Sequence, residues 1–125
     1  MNKKLIAKAV RIAKAILPPN GKITYKTVKT KDKSFYARIG FSKVDSNHIE
    51  FNENVFDEYF EKNKSTPLQQ LIFMVQVTLH EINHGLTHNI IKHKPTDEML
   101  CEIVERVFLG TIENLKLFEL NEEDV

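Results

Sequence analysis

The chain has one cysteine, Cys101, among its 125 residues, so no disulfide can close within it. That usage fits a reducing compartment, and a cytoplasmic, intracellular location is the expectation. No apolar run approaches the ~20 residues needed to cross a bilayer, so no membrane span is expected. The start, Met1-Asn2-Lys3-Lys4, has the basic character of a signal-peptide leader. Lys8, Arg11 and Lys14 then break up the segment that would have to be continuously apolar. Internal repeats and low-complexity stretches are absent, and the length suits one domain, residues 1–125. Acids are nearly missing from the first third: Asp32 stands alone in residues 1–43, against twelve of the 18 lysines and arginines. Residues 44–125 reverse the balance, with six bases and sixteen acids, so the net charge of +1 conceals two oppositely charged halves. The basic stretch 1–43 is a candidate nucleic-acid contact. The plainer reading is that the halves attract one another and stay solvated.

Residues 1–17 read as a basic amphipathic helix. Leu5, Ile6, Ala9, Val10, Ile12, Ala13, Ile16 and Leu17 form an apolar stripe, with Lys4, Lys8, Arg11 and Lys14 on the other side. The helix lacks the Trp and Phe usual on membrane-surface helices, and docking on the domain is the expected role. Pro18-Pro19-Asn20-Gly21 ends it. Residues 22–52 read as two or three strands in a small antiparallel meander. Ile23-Thr24-Tyr25 and Thr27-Val28 are rich in β-formers, and Phe35, Ala37, Ile39 and Phe41 alternate with Tyr36, Arg38 and Gly40. Asn54 to Lys62 suits a short helix. A long helix over 66–88 follows: Thr66 and Gln69 form a T-x-x-Q capping box and Pro67 suits the first helical position. A last helix is expected over 96–118, capped by Thr96, with Leu100, Ile103, Val104, Val107, Phe108, Thr111 and Leu115 on its apolar face. The fold class is α+β.

The chemistry concentrates in His80-Glu81-Ile82-Asn83-His84, an H-E-x-x-H sequence near the end of the 66–88 helix. Histidines four apart share one helix face and can both reach one Zn²⁺ ion, while the intervening glutamate can act as general base. The pattern points to hydrolysis of a peptide bond by a metal-activated water, with a protein or peptide as substrate. Two histidines and a glutamate on an otherwise apolar helix are costly to bury without a purpose. A catalytic zinc usually takes three protein ligands. Among the acids of the last helix, Glu105 is favoured as the third and Glu102 comes next. Glu98 is ranked below them, although Glu98 and Glu105 both sit near the edge of the apolar face. His88 and His93 offer another arrangement, against ordinary loop histidines. Cys101 reads as a small buried hydrophobe more than as a thiolate ligand.

The segment from Val77 to Leu115 resembles the zincin-like metallopeptidases, specifically the small ImmA/IrrE-type group of phages and bacteria. The resemblance rests on Thr78-Leu79-His80-Glu81-Ile82-Asn83-His84-Gly85-Leu86 and on the acidic helix from Asp97 to Val107. It implies a zincin-like minimal metallopeptidase domain, with a small antiparallel sheet packed on the H-E-x-x-H helix and flanking helices. It also implies zinc on His80, His84 and one acid of residues 98–105, and Glu81 as catalytic base. The strand region is loosely similar to SprT-like proteases, which act near DNA; there His88 or His93 would complete the site and residues 1–43 would face DNA. A third reading keeps the fold as a non-catalytic regulatory or binding module.

Overall fold

The computed structural model describes residues 2–19, 21–42, 46–87 and 94–115. Helix α1 spans Lys3–Ile16, and the Asn2 side chain caps it by accepting from the Lys4 backbone N–H at 2.9 Å. Its apolar stripe of Leu5, Ile6, Ala9, Val10 and Ala13 is buried, and Lys8 is buried with it.

Three strands follow: β1 (Lys22–Val28), β2 (Ala37–Ser42) and β3 (Ser46–Asn52). They form a sheet in the order β1-β3-β2, with β1 parallel and β2 antiparallel to β3. The sheet is therefore mixed, and the expected antiparallel meander is corrected. Burial explains the change. Ile49 and Phe51 on β3 are completely buried, so the strand that carries them takes the centre, where both of its edges are paired. The connection of residues 29–36 then carries the chain past β3 to the far edge. Asn52 ties this connection down, donating its amide to the carbonyls of Asp32 (2.8 Å) and Phe35 (3.1 Å).

Helix α2 (Glu53–Lys62) leaves β3 directly and buries Phe56 and Phe60. Helix α3 (Pro67–Thr87) runs through the middle of the domain, burying Leu71, Met74, Val75, Leu79 and Ile82. Its start carries the reciprocal capping bonds: the Thr66 N–H donates to Gln69 Oε1 at 2.9 Å, and the Gln69 N–H to Thr66 Oγ1 at 3.2 Å. The rings of Tyr36, Phe56, Tyr59 and Phe60 gather around Phe73, with Tyr59 stacked on it at 4.3 Å between centroids. Helix α3 packs against α1 on one side and against α4 and β2 on others.

Helix α4 spans Lys94–Leu115, so Thr96 lies in its first turn and does not cap it. Its expected apolar face is turned inward only in part: Leu100 and Val104 are half-buried, and the side chains of Phe108, Thr111 and Leu115 lie outside the described residues. Ile103 and Val107 are 51% and 61% exposed, and Met99 56%. The face turned to α3 instead carries Glu98, Cys101 and Glu105, spaced i, i+3, i+7, with Cys101 fully buried. Contacts of Glu98 and Glu105 to the α3 histidines hold this face inward while Ile103 and Val107 stay exposed. Among the described residues, no helix is long and apolar enough to cross a membrane.

Candidate metal centre

His80 and His84 lie one helical turn apart on the side of α3 that meets α4 and the sheet edge. Their Nε2 atoms are 3.1 Å apart, with the rings inclined at 70°. The Glu98 carboxylate reaches across from α4 to both: Oε2 is 3.2 Å from His80 Nε2 and Oε1 is 2.9 Å from His84 Nε2. Glu105, two turns further along α4, meets the opposite side of the His80 ring, with Oε2 2.8 Å from Nδ1. Gln76 Nε2 donates to the other Glu105 oxygen at 3.4 Å.

These contacts separate the acids by what they touch. Glu98 faces the two Nε2 atoms; Glu105 faces His80 Nδ1; Glu102 is exposed and away from the site. His88 and His93 lie outside the described residues. Cys101 Sγ also falls in the cluster, within 4.8 Å of the histidine nitrogens. It accepts a hydrogen bond from Asn83 Nδ2 at 3.2 Å. Around one tetrahedral zinc, donors at ~2.1 Å from the ion stand about 3.4 Å from one another. The His80, His84 and Glu98 spacings of 2.9–3.2 Å are close to that value. The wider Cys101 grouping fits less well, and the bond from Asn83 gives the thiol a structural part. If His80 donates its Nδ1–H to Glu105, its Nε2 presents a lone pair to a second imidazole and a carboxylate. Two imidazoles and a carboxylate converging in this way are a donor set that suits zinc.

Glu81 is 7% exposed and lines the same cavity. Burial pushes its carboxyl up to about 7; the His80 and His84 rings pull it down, and Glu98 and Glu105 raise it. Burial alone would lower the His80 pKa, but the Glu105 hydrogen bond and charge, with Glu81 and Glu98, hold it above its usual value.

The cavity is a groove of about 840 Å³ between α3 and β2. Tyr36 to Ile39 form one wall; Phe73, Gln76 and Val77 lead along the other to the histidines. Among the described residues, the outer edge of β2 pairs with no strand. Gly85 lets the sheet come this close: a Cβ there would stand 3.1 Å from Asn47 Oδ1 and 3.4 Å from Ile39 Cδ1.

Sequence reasoning placed Glu98 behind Glu105 and Glu102, whereas the structure sets Glu98 against both Nε2 atoms, and it overlooked Gln76 and Asn83. The available signal was the spacing of Glu98, Cys101 and Glu105 along one side of α4. The basic half is partly neutralised within the domain: Lys26 and Arg38 pair with Glu50, and Lys33 with Glu58.

No protein-family profile, curated protein or solved structure significantly matches this chain.

Proposed function

We propose that this protein is a zinc-dependent peptidase of the zincin-like class, with His80, His84 and Glu98 as metal ligands and Glu81 as general base. The observation that carries the reading is the convergence of two Nε2 atoms and one carboxylate within 2.9–3.2 Å, beside a buried glutamate on the floor of an open groove. Glu98 replaces Glu105 as the preferred third ligand because it faces Nε2 of both histidines. Glu105 has a different part: with Gln76 it orients the His80 ring and fixes the proton on Nδ1, which leaves the Nε2 lone pair for the metal.

When bound, zinc supplies Lewis-acid polarisation of the scissile carbonyl and lowers the pKa of water at the site. The remaining work falls to the chain. Glu81 takes a proton from the attacking water and returns it to the departing amine. Its carboxyl group is buried next to His80 and lines the same cavity, so it can hold that proton between the two transfers. The unpaired edge of β2 offers backbone N–H and C=O groups to an extended peptide lying in the groove.

Metal content and proteolysis test this reading together. The purified protein should hold about one zinc per chain. Glu81→Gln should keep the zinc and lose cleavage of an unfolded protein substrate. A well-folded protein that takes up no zinc would overturn the assignment.

A further inference from the structure

The groove is chemically uneven along its length. At the histidine end its floor is acidic, with Glu81, Glu98 and Glu105. Toward the start of α3 the lining turns apolar and aromatic: Val77, Phe73 and, from the facing connection, Tyr36. Phe73, Val77 and His80 follow one another along a single side of α3 at i, i+4, i+7, so the apolar end begins about 4.5 Å from His80 and extends to about 10 Å. An extended peptide advances about 3.3 Å per residue. The apolar end is thus reached within three residues of a bond held at the histidines. Tyr36 keeps 36% of its surface exposed, so it has area to offer a ligand. Among the described residues, Arg38 is the one lysine or arginine lining the groove, and it is engaged by Glu50 at 2.9 Å and lies over the Phe35 ring. Among the described lining residues, no lysine or arginine is left free for an acidic side chain.

The direction of β2 is fixed by two contacts. Tyr36 meets Phe73 early in α3, at 5.2 Å between ring centroids. Ile39 lies against Gly85 near the end of α3. The strand therefore runs in the same sense as the helix. A peptide added antiparallel to β2, the more stable pairing, travels the other way. Its carboxyl-terminal part passes from the histidines toward Phe73 and Tyr36.

We infer that the groove selects extended peptides with a large apolar, preferably aromatic, side chain within three residues on the carboxyl side of the bond at the histidines. This rests on the peptidase reading for the position of that bond, while the binding preference belongs to the groove itself. The chain contains no tryptophan, so tryptophan fluorescence of a peptide reports binding without background. The experiment uses zinc-loaded Glu81→Gln protein and two peptides. Both carry tryptophan at the amino end, and one has phenylalanine and the other alanine in the carboxyl half. The phenylalanine peptide should bind roughly tenfold tighter or more, from burial of the ring. Val77→Phe, which fills the groove without adding a tryptophan, should abolish that difference. A nitroxide at the peptide's carboxyl end should broaden the amide signals of Phe35 and Tyr36 and spare Gly40. In parallel, the wild-type protein is given a mixed peptide library and the new amino termini are sequenced. Phe, Tyr, Leu and Met should be enriched in their first three positions. Equal binding of the two peptides, broadening at Gly40, or enrichment on the amino side of the cut would overturn the inference. Tight, oriented binding without any cleavage would uphold the groove preference and count against the peptidase reading.

Discussion

Glu105 Oε2 lies 2.8 Å from Nδ1 of His80, on the side of the imidazole facing away from His84. The contact joins α3 to α4, and it decides which nitrogen of His80 looks into the site. Glu98, seven residues earlier on the same face of α4, meets the other nitrogen. One helix thus supplies a carboxylate to each side of the same ring.

Metal affinity should distinguish these two acids. Glu98→Ala removes the proposed third ligand and should reduce zinc affinity far more than Glu105→Ala. The Glu105 variant should lose roughly 10–100-fold, the usual cost of removing a group that orients a ligating histidine. Competition against a chromophoric chelator measures both. A larger loss for Glu105→Ala would return the third-ligand role to Glu105.

Stability of the chelated protein should depend on pH through Glu81. Its folded pKa is about 7, above the ordinary carboxylate value of 4.5. The folded state therefore holds the proton more tightly than the unfolded chain. The stabilisation is fully present below pH 4.5 and is lost as pH rises through 7, by about 3 kcal/mol in order of magnitude. The raised pKa of His80 acts in the same direction. In EDTA, Glu81→Gln should gain stability over wild type as pH goes from 5 to 8, read from urea midpoints. A difference between the two proteins that stays flat with pH would contradict the buried, proton-binding Glu81.

Helix α4 should tolerate polar substitutions on its outer face. Met99 and Ile103 are more than half exposed, so Met99→Ser or Ile103→Ser should shift unfolding free energy by no more than about 0.5 kcal/mol. Ile82→Ala, on the buried face of α3, should cost about 2–5 kcal/mol. If Ile103→Ser proves as damaging as Ile82→Ala, α4 is rotated from the orientation described.

The parts of the fold that were legible in the sequence are those fixed by local chemistry. Thr66, Pro67 and Gln69 announce the start of α3, because capping involves residues three apart. The pair His80 and His84 is likewise a one-turn relation. What could not be read depends on contacts between distant elements. The β1-β3-β2 order follows from the central burial of Ile49 and Phe51, and nothing within β1 or β2 states it. The rotation of α4 is a competition between an aliphatic stripe and an acidic one. Periodicity alone favours the stripe with more carbon. The acidic face turns inward because His80 and His84 stand opposite it, and that is a property of α3.

Gly85 is where α3 lies close against the sheet, and substitution there sets two known effects against each other. Replacing a helical glycine by alanine gains about 1 kcal/mol of helix propensity. The new methyl would stand 3.1 Å from Asn47 Oδ1 and 3.4 Å from Ile39 Cδ1. Asn47 is itself buried, so its amide has little room to withdraw, although a shift of a few tenths of an ångström would relieve the contact. Gly85→Ala should therefore change stability little, within about 1 kcal/mol in either direction. Gly85→Val places branched methyls in the same gap, adds the lower helix propensity of valine, and should cost about 1–3 kcal/mol. Because Ile39 belongs to the strand that walls the groove, the valine variant should also push β2 outward and weaken peptide binding while leaving zinc affinity unchanged. Equal urea midpoints for the alanine and valine variants would show that β2 does not press on α3 at this position.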